Sequence, residues 1–357
     1  MEITNTTPIV ADALLIQNPE LGNWILIATA KATFCVEEDG SVGLDRENPL
    51  PLLLQDEETE LGLLPRDNLP RWDDAFEVIL LGKAHAPNGK PVPQMDVSIA
   101  IDKQKRRLRV FGDRAWSGSG AEAQITRPQP FTEMPLTYER AFGGTCEVLI
   151  DRESPIDIAD PNNPAGRGID PGPAIQHLTK TLNPPKGYPQ YQGIRLLPNV
   201  EHPMRLIARW EDAPLPASFA AVPLSTALHM NRAIDIKEGE TPTLEDPPFT
   251  AAIFHRAHPE CVMPLPMPDA TVRLEGVTPG GQLEFNLPQI QVFADFQFGT
   301  ETGTMPLVPH MLVLLPEEMR LYIVYRNRMY RDLSDADERG VRIRLEKGWL
   351  QPQEVST

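Results

Sequence analysis

Met95-Asp-Val-Ser-Ile-Ala-Ile101 and Leu108-Arg-Val-Phe111, the flanks of the basic run Lys103-Gln-Lys-Arg-Arg-Leu-Arg109, alternate apolar and polar residues in steps of two. A two-residue period puts one set of side chains on one face of an extended chain, which is the pattern of a half-buried strand. The basic run is therefore an exposed strand face or hairpin tip, not a phosphate-binding patch. On the N-terminal side, Trp24–Val36 ends in the same alternation and meets the turn signal Glu38-Asp-Gly40. Phe76–Gly82 is a further strand, closed by Pro87-Asn-Gly89. These four segments are expected to form one antiparallel sheet of sequence neighbours.

Strand signals return at Ala251–His255, Ala270–Leu274, Gln282–Phe285, Ile290–Phe296, Met311–Leu315 and Arg320–Tyr325. Between the two strand-rich parts, residues 125–216 hold 15 of the 38 prolines. Proline lacks an N–H and blocks helix interiors, so this stretch reads as long turn-rich connections, with short helices at Ala174–Leu182 and Ser225–Ala233. The expected fold is mainly β, an antiparallel sandwich-like architecture with proline-rich loops. One domain is expected over residues 8–330. It divides into a β lobe at 8–115, a loop region at 116–216 and a second β lobe at 217–330. A charged tail, with a short helix at Asp332–Arg339, follows at 331–357.

The formal net charge is −17, and residues 1–80 alone carry −12. An acidic lobe repels phosphate backbones, which argues against a nucleic-acid partner and suits a basic protein surface. Three widely spaced cysteines, Cys35, Cys146 and Cys261, fit reduced thiols in a cytoplasmic compartment. The N-terminus lacks a basic and apolar leader pattern, and no apolar run approaches the ~20 residues of a membrane helix. Export by the general route and a membrane partner are not expected.

Charge among aromatics dominates Val110-Phe-Gly-Asp-Arg-Ala-Trp116 and Pro130-Phe-Thr-Glu-Met-Pro-Leu-Thr-Tyr-Glu-Arg-Ala-Phe-Gly-Gly144. Asp113, Arg114, Glu139 and Arg140 lie among Phe111, Trp116, Phe131, Tyr138 and Phe142. Such charges are expected to be buried and paired, because an unpaired buried charge costs several kcal/mol. Gly112, Pro135, Gly143 and Gly144 complete this structural motif with tight turns. Asp113, Glu139 and Glu201 could alternatively flank a glycosidic bond as acid and base, the arrangement of a carbohydrate-acting hydrolase. His255-Arg-Ala-His258-Pro-Glu-Cys261 is the one metal-like spacing, short of a fourth ligand, and no metal is expected. Neither a nucleophile elbow, a P-loop nor a dinucleotide fingerprint is present, so no cofactor and no catalytic residue is expected.

These strings resemble the bacterial DUF2169 family. The resemblance rests on the two motifs above, with Asn163-Pro-x-Gly-x-Gly168 and Leu197-Pro-Asn-x-Glu201. Lys31-Ala-Thr-Phe34, Leu81–Val92, Leu287-Pro288 and Tyr325-Arg326 flank them. The likeness spans about residues 8–330. It departs at Pro309-His-Met-Leu312, where members tend to carry Leu-Asp-Thr. The resemblance implies a cytoplasmic chaperone or adaptor of type VI secretion, whose partners are an effector protein and a VgrG-type spike. Proline-rich loops, with φ already fixed, suit partner binding. Phe131, Asn163, Pro164, Gly166, Arg167, Gly168, Tyr188 and Tyr191 are the expected contact residues. A structural subunit of a larger assembly is the remaining alternative.

Overall fold

The computed structural model describes residues 1–17, 24–69, 73–118, 120–191, 193–233, 250–266, 269–331 and 339–347. The strands that build its frame are β1 (Glu2–Asn5), β2 (Val10–Gln17), β3 (Trp24–Val36), β4 (Val42–Leu44), β5 (Ala75–Leu80), β6 (Gln94–Ile101), β7 (Gln104–Phe111) and β8 (Val200–Glu201). They continue as β9 (Val262–Pro264), β10 (Thr271–Glu275), β11 (Gln282–Asn286), β12 (Ile290–Phe298), β13 (Glu301–Leu315), β14 (Arg320–Arg331) and β15 (Arg339–Lys347).

Two sheets share one core. The larger runs β1-β15-β12-β13-β14-β3-β2, with β4 added on β3 and β5 on β13. The smaller runs β8-β7-β6-β10-β11. Val97, Ile99 and Ile101 of β6, with Val272 and Leu274 of β10, join Phe34, Leu80, Leu312 and Leu314 in a single buried cluster. The mainly β, sandwich-like expectation holds. The hairpin of β6 and β7 pairs Gln104 with Ile101 through to Phe111 with Gln94, as its alternation requires.

The expected neighbourhood of strands does not hold. Trp24–Val36 and Ala75–Leu80 lie in the larger sheet and the hairpin in the smaller. Strand β3 is flanked instead by β2 and by β14, which arrives from the far end of the chain. Periodicity fixes which face a strand buries but carries no information about its partner. The reading of Ala251–His255 as a strand is also corrected: Ala251–Phe254 is a 3-10 helix. The charged tail contributes β15, which pairs along all of β12 and receives β1 in parallel. Apolar Val341 and Ile343, alternating with Arg342 and Arg344, are buried there. The expected helix at Asp332–Arg339 falls almost wholly outside the described residues. The helices at Gly172–Leu182 and Ala227–Ala233 agree with the sequence reading.

Strand β3 shows why its sequence alternates Ala-Thr-Ala-Lys-Ala-Thr. Its Leu26, Ala28, Ala30, Ala32 and Phe34 face the shared core. The opposite face, Thr29, Lys31 and Thr33, is buried as well. It is covered by the acidic segment 45–69. Lys31 Nζ donates to Asp67 Oδ2 and to the Pro51 carbonyl, both at 2.9 Å, and lies 4.0 Å from the Tyr322 ring centroid. Leu50 N donates to Thr33 Oγ1 at 2.9 Å. Arg256 makes a two-pronged contact with Asp56 at 2.7 and 3.0 Å, and Arg320 reaches Asp45 at 2.8 Å. Part of the acidic charge of residues 1–80 is thus matched internally by bases from other parts of the chain.

The stretch Pro309-His-Met-Leu312 is irregular in the structure. The register of β13 against β14 shifts between Pro309 and Met311, and the chain bulges at His310. Its imidazole is buried with Nε2 3.2 Å from Glu77 Oε1. Burial opposes ionisation of Glu77, but the hydrogen bond and charge of His310, the charge of His255 and the Ala257 N–H outweigh it and hold the pKa at about 2.

Candidate functional site

A second, smaller apolar core sits beside the main one. Trp116, Phe142, Leu197 and Ile207 are its buried members, with Ile125 and Trp210 packed against them. It is built entirely from the motif residues and the proline-rich region. The segments 110–116, 138–144, 160–168 and 194–201 meet there, tied by bridges from Ala115 to Leu196 and from Ala141 to Val200.

Two close backbone approaches explain the glycines. A Cβ on Gly112 would stand 1.6 Å from the Gln129 carbonyl oxygen. Gly143 has φ of +133°, and a Cβ there would stand 2.3 Å from the Asn163 carbonyl oxygen. Gly144 N in turn donates to that carbonyl at 2.8 Å. Asn163 is buried, and its Nδ2 donates to the carbonyls of Tyr138 at 2.7 Å and Phe142 at 2.9 Å. This residue stitches the motif turn rather than facing outward, which corrects its expected place at a contact surface. Phe131 is corrected likewise. It is buried, paired with Val92, and belongs to the main core.

The motif charges divide into two groups. Arg114 and Glu201 are buried and form an ion pair, with Glu201 Oε2 also accepting from Ile207 N at 2.7 Å. The guanidinium lies over the Phe111 ring at 3.6 Å. Burial raises the Glu201 pKa and lowers that of Arg114, each opposed by the partner's charge. The second group is at the surface, where the expectation of burial fails. The Asp113 side chain is 59 % exposed, with Oδ1 3.4 Å from Arg140 Nη1 and 3.7 Å from Arg167 Nη1. Asn199 connects the group: its Nδ2 donates to Asp113 Oδ1 at 3.0 Å and to the Phe111 carbonyl at 3.1 Å, while its Oδ1 accepts from Arg140 at 3.2 Å. Glu139 is exposed, and its carbonyl accepts from Arg167 Nε at 3.0 Å. Asp113, Glu139 and Glu201 therefore do not converge as a set. Glu201 sits inside the lobe and the other two outside it.

Pro135 lies in a short strand with its register partner Lys83, and Tyr138 is buried in the main core. Gly166 and Arg167 spend their backbone N–H groups on the carbonyls of Asn163 and Ala141 at 3.1 and 3.0 Å, which is turn chemistry. Pro164 is exposed, while Gly166, Arg167, Gly168, Tyr188 and Tyr191 are half-buried. The His255–Cys261 segment has another use: His255 Nε2 lies 2.8 Å from Asp73, and His258 Nδ1 accepts from Glu260 N at 3.2 Å.

Sequence reasoning missed what Arg195 and Trp210 do. Arg195 is buried, donates to the Gly168 and Trp210 carbonyls, and stacks 4.5 Å from the Trp210 ring centroid. Trp116 and Trp210 have ring centroids 5.5 Å apart. The strand-like stretch 194–197 is consequently inverted. Arg195 and Leu197 point inward, and Ile194 and Leu196 point out. Ile194 is 76 % exposed. Met204, 82 % exposed, Leu206 and Leu215 continue this outward apolar series along the same connection. Of the twelve large apolar side chains exposed among the described residues, these five come from 194–215. The signal was the odd order Ile-Arg-Leu-Leu, whose alternation reads equally well with either face outward. Asn199 was already visible in Leu197-Pro-Asn-x-Glu201.

The fold and this lobe together define a class: a two-sheet β protein with a salt-bridged motif turn and a proline-rich connection laid over a tryptophan pair. The sequence profile of the family described as "Uncharacterized protein conserved in bacteria (DUF2169)" matches residues 22–326. The chain belongs to that family. No curated protein and no solved structure matches it. Among the described residues no helix is long and apolar enough to cross a membrane, and no three His, Cys, Asp or Glu side chains gather as a metal site would require.

Proposed function

We propose that this chain is a non-catalytic cytoplasmic adaptor that holds a type VI secretion effector and helps load it onto a VgrG-type spike. The observation that carries the reading is the inverted stretch 194–197, where an arginine is buried and two aliphatic side chains face outward. Exposed apolar groups gathered on one connection mark interaction surface more often than chance placement does. Arg195, fixed beneath by the tryptophan pair and two carbonyls, keeps the connection from rolling over to bury Ile194 and Leu196. The effector and the spike are what resemblance to the family implies.

Support for a non-catalytic role comes from the carboxylates. Acid–base work on a glycosidic bond needs two carboxyl groups facing one cleft about 5–9 Å apart. Both oxygens of Glu201 are engaged inside the lobe, and Asp113 is held by Arg140 and Asn199. The test is affinity purification of the tagged full chain from its bacterial host. An effector and a spike protein recovered in fixed proportion are expected, with recovery lost in Ile194→Asp. A chain that purifies alone while the secretion machinery is expressed, or that cleaves an oligosaccharide in a manner abolished by Asp113→Asn, would overturn the reading.

A further inference from the structure

A second surface lies on the far side of β3, where the acidic segment 45–69 crosses it. Within this segment Glu57–Thr59 and Gly62–Leu64 form a small hairpin, with Glu57 opposite Leu64 and Thr59 opposite Gly62. Beside the hairpin is a cavity of about 310 Å³. Leu53, Leu81, Leu315 and the Tyr322 ring are its buried apolar surfaces, and Leu61 and Leu64 its half-buried wall. That volume is at the lower end of small binding pockets and holds one large side chain rather than a cofactor.

The rim of this cavity is acidic. Glu57 and Glu60 are exposed, and among the described residues neither forms an ion pair. Glu317 and Glu318 stand on the rim as well, the first engaged by His85 at 2.7 Å and the second by Arg320 at 3.5 Å. Lys31 feels the charge of Glu57, but the hydrogen bonds of its ammonium go to Asp67 and the Pro51 carbonyl, and it lies against the Tyr322 ring rather than bridging a rim carboxylate. An apolar cavity with the exposed, unbridged carboxylates of Glu57 and Glu60 on its rim matches an apolar side chain flanked by bases.

Backbone geometry selects a peptide over a free amine. The hairpin is a sheet of two strands, so among the described residues no strand pairs with the outer edge of Glu57–Thr59. An extended segment laid along that edge would gain main-chain hydrogen bonds. Its alternate side chains would point to the face carrying Glu57 and Thr59, both of which line the cavity.

We infer that this cavity is a second docking point, taking an extended segment of a partner protein in which a large apolar residue stands between lysines or arginines. It rests on the reading of the chain as an adaptor and names a contact separate from the connection 194–215. The probe is a set of short immobilised peptides with Leu, Phe or Met at the centre and Lys on both sides, offered to the full chain. Counterparts carry Glu in place of Lys, or Gly at the centre. Retention by the Lys-flanked apolar peptides alone is expected, falling by about tenfold in Glu57→Lys/Glu60→Lys. Both substituted positions are exposed, and the variant should melt with the wild type. Equal retention of the Gly-centred peptides, undiminished retention by the charge-reversed variant, or full displacement by hexylamine would overturn the inference. The adaptor reading stands or falls separately, on recovery of the host complex and its sensitivity to Ile194→Asp.

Discussion

Single residues of the motif fall into two energetic classes, and substitution should separate them. Glu201 and Arg114 are buried together, so Glu201→Ala leaves an uncompensated guanidinium and should cost about 3–5 kcal/mol in urea denaturation. Asn163→Ala removes two buried hydrogen bonds and should cost about 1–3 kcal/mol. Asp113→Ala, at a mostly exposed pair, should stay within about 1 kcal/mol of wild type. The sequence could not rank these three. Arg114 and Asp113 are chain neighbours in the same aromatic company, and which of them turns inward depends on where Glu201 arrives from 87 residues away. A destabilised Asp113→Ala would contradict the division.

Elements were legible where one face is buried and the partner is local. The hairpin of β6 and β7 follows from periodicity and turn residues. Strand β3 was legible as a strand. Its two buried faces, one apolar and one carrying Lys31, required knowing that residues 45–69 fold over it. The segment Ala251–His255 misled because five residues with apolar character suit a 3-10 turn as well as a strand; Arg256 N and Ala257 N then donate to Glu77 Oε2. That contact, with His310 from the bulge of β13, gives β5 a pH dependence. The folded pKa of Glu77, about 2, lies below its ordinary value of 4.5, so the unfolded chain takes up the proton more readily. Its contribution is full above pH 4.5 and is lost as pH falls towards 2, an amount on the order of 3 kcal/mol. Denaturation midpoints from pH 7 to pH 3 should fall steeply in the wild type. In Glu77→Gln, weaker already at pH 7, they should fall less. Parallel slopes in the two chains would contradict this.

At the scale of the molecule, the chain's last described strand supports its frame. Strand β15 pairs with β12 along nine positions and carries β1 on its other side. Ending the chain at residue 338 would bare the edge of β12, and an exposed, partly apolar edge invites association. Size-exclusion chromatography of that truncation should show oligomers where the full chain does not. A salt-bridged frame thus carries an outward apolar connection, proposed above as the partner surface. The most direct test of that proposal is Ile194→Asp/Leu196→Asp, with melting temperature and recovery of the host complex measured on the same preparation. A melting temperature within about 2 °C of wild type and recovery reduced by about tenfold or more are expected. Unchanged recovery from a fully folded double variant would contradict it.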